Sequence, residues 1–177
     1  MMEKNEIKLI VLDVDGVLTD GKLLIGSDGV EYKSFHVKDG MGISLARFHG
    51  IKIAMITGRK SESVHIRAKE LRVDFLYEGI TNKEEVLDEI VTTLNISLQN
   101  VFYMGDDIND LPVIKLVGFS AAPKDAADIV KRSVSFVSHF NGGNGAVREA
   151  IEIVLSYQVD YDVLVEKYLN ETIRMTQ

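Results

Sequence analysis

The chain has 177 residues, of which 46% are hydrophobic and 27% charged, with a net charge of −7 and no cysteine. That length suits one domain with a sizeable core, and the composition excludes a disulfide framework, a thiolate metal site and a general nucleic-acid binder. No apolar stretch approaches the roughly 20 residues that span a bilayer. The opening Met1-Met2-Glu3-Lys4-Asn5-Glu6 lacks the apolar core of a signal peptide. The sequence therefore predicts a cytoplasmic protein with neither a nucleic-acid nor a membrane partner.

Along the chain, short apolar runs alternate with amphipathic segments. Residues 7–12 read as a buried strand. Asp13 and Asp15 stand where it ends, two residues apart and so on one face of an extended chain. Residues 20–38 break the rhythm. Leu23-Leu24-Ile25, the turn residues Gly26-Ser27-Asp28-Gly29 and the run Val30 to His36 predict a β-hairpin. Its apolar face needs a cover, either its own domain or the hairpins of other subunits. Further strands are expected at 51–56, 74–77, 101–104, 118–120 and 135–137. Helices are expected at 40–49, 61–71, 83–94, 109–116, 124–129, 145–156 and 161–173. Val64, Ala68 and Leu71 fit one face of the second of these. Strand-then-helix alternation predicts an α/β fold, a doubly wound (Rossmann-like) parallel sheet with helices on both faces. One domain over 1–177 is expected, with a helical tail at about 157–177.

Three strand ends carry polar residues. The first has Asp13 and Asp15, the second Thr57-Gly58-Arg59, and the strand 101–104 runs into Gly105-Asp106-Asp107-Ile108-Asn109-Asp110. Ligands in open α/β sheets bind beyond the carboxyl ends of strands, so these residues converge if the strands are neighbours. Asp13 and Asp106 are hard oxygen ligands suited to Mg²⁺. Thr57 offers a hydroxyl, and Gly58 lets backbone N–H groups approach an anion. Lys83, at a helix start, is a point charge for a phosphate. Together they suit phosphoryl transfer. One carboxylate attacks, a second two residues on moves protons, and the cation and Lys83 offset the developing charge. His36, His49, His65 and His139 are scattered without ligand spacing. Asp39 reads as a residue that positions a lid or substrate, or as a helix N-cap.

These segments closely resemble those of the haloacid dehalogenase superfamily of phosphatases, along nearly the whole chain. The resemblance implies that Asp13 is the nucleophile, Asp15 the general acid/base, Thr57 the hydroxyl on the transferring phosphoryl group and Lys83 its lysine. It implies a Mg²⁺ site made by Asp13, the Asp15 carbonyl and Asp106, with Asp110 orienting the metal's waters. The stretch Phe35-His36-Val37-Lys38-Asp39-Gly40-Met41-Gly42 and the later Gly142-Gly143-Asn144-Gly145-Ala146-Val147-Arg148-Glu149 resemble the capless branch. That branch contains 3-deoxy-D-manno-octulosonate 8-phosphate phosphatases and nonulosonate 9-phosphate relatives. Only a hairpin and one helix fit between Asp15 and Thr57, leaving no room for a cap domain.

The branch implies a homotetramer with hairpins at its centre and each active site covered by a neighbour. It also implies a sugar-acid phosphate substrate from lipopolysaccharide or sialic-acid-type sugar biosynthesis. Arg59 after Thr57-Gly58 resembles the octulosonate enzymes, and Arg67 resembles an arginine that a neighbour contributes to the substrate pocket. Asn144 departs from the pattern, where arginine is common. Two other readings are weighed against phosphatase activity: a non-catalytic tetramerisation module, and a response-regulator-like receiver. The latter places its phospho-accepting Asp on a later strand.

Overall fold

The computed structural model describes residues 6–175. Residues 1–5, read above as part of a leader-free start, and the last two residues of the expected tail lie outside them. The elements follow in chain order. β1 (Leu9–Leu12) leads into a hairpin, β2 (Leu24–Ile25) and β3 (Glu31–Tyr32), then α1 (Val37–Phe48), β4 (Lys52–Thr57), α2 (Glu62–Glu70), β5 (Phe75–Glu78) and α3 (Lys83–Leu94). β6 (Val101–Met104), α4 (Leu111–Ile114), β7 (Phe119–Ala122), α5 (Asp128–Lys131), β8 (Phe136–Val137), α6 (Ala146–Gln158) and α7 (Tyr161–Met175) complete it.

The main sheet has six parallel strands in the order β5-β4-β1-β6-β7-β8. The apolar strands are buried on both sides, and their residues sort by period two. Ile10 and Leu12 of β1 face one core with Ile43 of α1, Val64 of α2 and Ile151 of α6. Leu9 and Val11 face the other, with Leu87 and Ile90 of α3, Val113 of α4 and Val130 of α5. This is the doubly wound arrangement that the alternation of elements predicts. Among the described residues, only the short hairpin stands between β1 and α1, and there is no cap domain.

β1 pairs with β4 on one side and β6 on the other, Leu12 lying opposite Met55 and Met104. The chain winds outward from β1 in one direction through β4 and β5, then in the other through β6, β7 and β8. The crevice at that reversal is where an open α/β sheet presents its ligand site.

Several boundaries differ from expectation. α1 begins three residues early because Gly40 and Gly42 serve close packing and do not mark its start. A Cβ on Gly42 would stand 3.2 Å from Arg148 Cα, and one on Gly40 would stand 2.6 Å from an Arg67 guanidinium nitrogen. The expected helix 109–116 is a 3-10 turn over Ile108–Asp110 followed by α4. The expected helix 124–129 starts only at Asp128. The N–H of Lys124 donates to the Phe140 carbonyl (2.9 Å) and that of Ala127 to the Asp106 carbonyl (2.9 Å), which holds the segment as a loop beside the site. The hairpin strands have two residues each, shorter than expected.

Candidate active site

Asp13 stands one residue beyond β1, with its N–H donating to the Met104 carbonyl at 3.0 Å. The chain then turns sharply. The N–H groups of Val17, Leu18 and Thr19 all reach the Val14 carbonyl, and the Thr19 hydroxyl accepts from the N–H of Gly16 (3.3 Å) and of Gly21 (3.2 Å). Gly16 has φ of +87°, and a Cβ there would lie 2.0 Å from Asp106 Oδ2. Only glycine lets this loop pass so close to that carboxylate. From behind, Gly142 seals the loop, since its own Cβ would lie 1.8 Å from the Gly16 carbonyl oxygen.

The three strand ends converge as the neighbouring strands require. Asp13, Asp15, Thr57, Gly58, Arg59 and Asp106 line one cavity of about 290 Å³. Lys83, at the start of α3, is buried beneath it. Its ammonium pairs with Asp13 at 3.0 Å and Asp110 at 2.7 Å. Asp110 is fully buried. Its Oδ1 accepts from Lys83 and from the Tyr103 hydroxyl (2.5 Å), and its Oδ2 from the N–H groups of Asp106 (2.9 Å) and Asp107 (3.2 Å). A carboxylate has about four lone-pair sites, and here all are taken. Asp110 therefore contributes charge and holds Lys83 and the Asp106 backbone in place, with no oxygen left open. Asp107 accepts from the Ile108 N–H at 2.7 Å and closes the 3-10 turn.

One carboxylate oxygen from each of Asp13, Asp106 and Asp110 falls within 4.8 Å of the others. Were all three carboxylates charged, one ammonium would leave two negative charges in a mostly dry place. The strain is visible in their protonation. Burial, with Asp110 adding to it against the pull of Lys83, pushes Asp13 up to about 6. Burial, then Asp13 and Asp110, pushes Asp106 up to about 8. Burial alone would lower Lys83, but Asp13 and Asp110 more than offset it and its pKa is raised. A divalent cation held by hard oxygens is what this charge balance lacks, so the donor set fits Mg²⁺, with Asp13 and Asp106 as its side-chain ligands.

Thr57 ends β4 and is buried. Its hydroxyl accepts from the Arg59 N–H at 3.3 Å. Arg59 reaches the cavity mouth, 47% exposed, and pairs with Glu31 of the hairpin at 2.6 Å. Arg67 does not join them. It lies on α2 with its guanidinium over the Phe35 ring and paired with Glu70 at 2.7 Å. Asp39 is inside α1, so it does not cap that helix. It accepts from the N–H of Arg148 (2.8 Å) and of Gly145 (3.4 Å), and so caps α6 from a neighbouring element. His139, expected to be bland, pairs with Glu149 at 2.6 Å away from the cavity.

The sequence reading missed two groups that belong to this neighbourhood. Tyr103 on β6 is fully buried beside Lys83 and Asp110. Lys33, after β3, donates to Asp15 and forms an ion pair with Glu31 (2.7 Å). A period-two signal existed for the hairpin. Glu31 and Lys33 share the inward face while Tyr32 between them is exposed.

A larger cavity of about 700 Å³ lies between β7, β8 and α6. Its acids are already held, Glu149 by Ser138 and His139, and Glu152 by Arg148 and Tyr161. No carboxyl ends of strands converge there, so the smaller cavity is the candidate site.

The chain is similar to known proteins of one family. Residues 73–151 match the haloacid dehalogenase-like hydrolase family. The chain is 41% identical over 162 residues to 3-deoxy-D-manno-octulosonate 8-phosphate phosphatase KdsC of Salmonella typhi, covering 92% of this chain and 86% of that protein. The crystal structure of the Moraxella catarrhalis 3-deoxy-D-manno-octulosonate 8-phosphate phosphatase, in complex with magnesium, phosphate and KDO, superposes with a TM-score of 0.88 at 36% identity, covering 92% of this chain and 93% of that one. The Yersinia pestis phosphatase of the same name gives 0.84 at 39% identity, over 86% and 82% of the two chains. The chain belongs to the haloacid dehalogenase superfamily of phosphatases, among relatives of the octulosonate 8-phosphate branch.

Proposed function

We propose that this protein is a Mg²⁺-dependent phosphomonoesterase that hydrolyses 3-deoxy-D-manno-octulosonate 8-phosphate through an aspartyl-phosphate. The observation that carries the reading is Asp13, at the end of the central strand, held at 3.0 Å by a buried lysine and facing Asp106 across the cavity. Lys83 fixes one Asp13 oxygen and adds positive charge beneath the phosphate site. The Thr57 hydroxyl and the backbone at Gly58 receive the phosphoryl oxygens. Asp15 gives a proton to the leaving sugar oxygen and later takes one from water. A bound Mg²⁺ supplies charge neutralisation for the phosphate oxygens. Arg59 offers a planar fork to the sugar-acid carboxylate.

The same reading holds that the chain is one domain and a cytoplasmic homotetramer. The hairpin supports the assembly, because Leu23, Leu24, Ile25, Val30 and Tyr32 are all exposed on it. A large apolar patch on a two-stranded ribbon calls for a partner. Arg67 then serves a neighbour's pocket. A nonulosonate 9-phosphate is the alternative substrate, because the capless branch that the sequence resembles contains both kinds of enzyme. Measuring kcat/KM on both sugar-acid phosphates separates them. A higher value on the octulosonate 8-phosphate supports the first reading, and a higher value on the nonulosonate 9-phosphate replaces it.

A further inference from the structure

The inward face of the hairpin carries an arrangement that the steps above leave unused. The Lys33 side chain is 1% exposed and its ammonium bonds Asp15 Oδ1. The same ammonium lies 2.7 Å from Glu31. Glu31 also takes Arg59 at 2.6 Å, and its carbonyl accepts from the Ser63 hydroxyl at 3.2 Å. The hairpin is thus fastened both to the end of β4 and to Asp15. The other oxygen of that carboxylate, Asp15 Oδ2, is buried and has no hydrogen-bond partner among the described residues.

We propose that Lys33 is a positioning residue for the acid–base carboxylate, holding Asp15 Oδ1 so that Oδ2 alone exchanges the proton. This rests on the phosphatase reading above. The two oxygens of a free carboxyl group are equivalent. An ammonium only donates, so a proton placed on Oδ1 would face another proton-bearing group. Oδ2 has no such competitor. An aspartate side chain anchored at one oxygen also keeps its second oxygen in one place, and proton transfer depends on that geometry.

The step balances as follows. An Asp13 oxygen attacks phosphorus, the bond from phosphorus to the sugar oxygen breaks, and its electron pair stays on that oxygen, which takes the proton from Asp15 Oδ2. Water then attacks phosphorus and gives a proton to Asp15 Oδ2 as the Asp13–phosphorus bond breaks, releasing phosphate and restoring both carboxyl groups. Glu31 offsets the charge of Lys33, so Asp15 is held without a full uncompensated cation against it.

The test is a series of aryl phosphates whose leaving groups need progressively less protonation, read as kcat/KM. In Lys33→Met, phenyl phosphate is expected to lose about 10- to 100-fold, while 2,4-dinitrophenyl phosphate, whose phenolate leaves unaided, stays within about twofold. Lys33→Arg, which keeps a donor, is expected to recover part of the loss. Lys33→Leu, which also lacks a donor, serves as the second variant if Lys33→Met does not fold, with the same expected pattern. Equal losses across the series, or none, overturn the inference. Asp15→Asn is measured alongside. If it shows the leaving-group pattern and Lys33→Met does not, the inference alone fails. If Asp15→Asn shows no such pattern, the underlying assignment of Asp15 fails and the inference with it.

Discussion

Binding of Mg²⁺ to the metal-free protein is expected to expel protons. Asp106 sits at about 8 and Asp13 at about 6, both raised by burial and by neighbouring carboxylates. The two titrate as a pair, and near pH 7 the metal-free pair holds about one proton. A cation coordinated by both carboxylates requires them charged, so about one proton leaves per Mg²⁺ at pH 7. Affinity should climb about tenfold per pH unit between about pH 6 and 8, then level off.

The sign for folding runs the other way. These carboxyl pKa values are raised above the unfolded ones, so the native state binds the extra protons. The metal-free protein then loses stability as pH rises from about 4 to about 8, at about 1.4 kcal/mol per pH unit near neutrality. Saturating Mg²⁺ should remove most of that slope. Titration calorimetry at pH 7 in buffers of different ionisation enthalpy reads the proton count directly. A binding heat independent of the buffer would refute the reasoning, because it would mean that no proton is displaced.

Further predictions concern the supports around the site. Lys83→Met leaves Asp13 and Asp110 buried without their ammonium, and should cost about 3–5 kcal/mol of folding stability in Mg²⁺-free urea unfolding at pH 7. A loss under about 1 kcal/mol would show that the pair is not held as an ion cluster. Asp39→Ala removes the acceptor for the N–H groups of Gly145 and Arg148 at the start of α6, and should cost about 1–2 kcal/mol by the same unfolding measurement. Gly142→Ala drives a methyl group into the Gly16 carbonyl, and should lower kcat about tenfold or more with the circular dichroism spectrum unchanged. Unaltered turnover in that variant would mean the Asp13 loop does not depend on its rear wall.

Asp13, Thr57 and Asp106 of the candidate site were legible because each stands at the end of an apolar run. A strand fixes its terminal residue at the sheet edge, and adjacency of β4, β1 and β6 does the rest. Asp13, Thr57 and Asp106 needed only local patterns. What the sequence hid depends on packing between distant segments. Tyr103 reads as one more apolar strand residue, and only the position of α3 turns its hydroxyl toward Asp110. Lys33 lies eighteen residues from Asp15, and the fold-back of the hairpin joins them. Asp39, read as positioning a lid or substrate or as capping its own helix, caps another, because α1 already starts at Val37 and carries Asp39 to the start of α6. The start of α5 moved because backbone bonds to Phe140 and Asp106 hold the preceding segment, which helix propensity does not record.

Phosphate release from 3-deoxy-D-manno-octulosonate 8-phosphate, followed with Mg²⁺, with EDTA and with Asp13→Asn, tests the central claim most directly. The account predicts steady turnover by the native protein with Mg²⁺, loss of turnover in EDTA that added Mg²⁺ restores, and a fall of more than about 10³-fold in Asp13→Asn. Turnover that survives either EDTA or Asp13→Asn would contradict it.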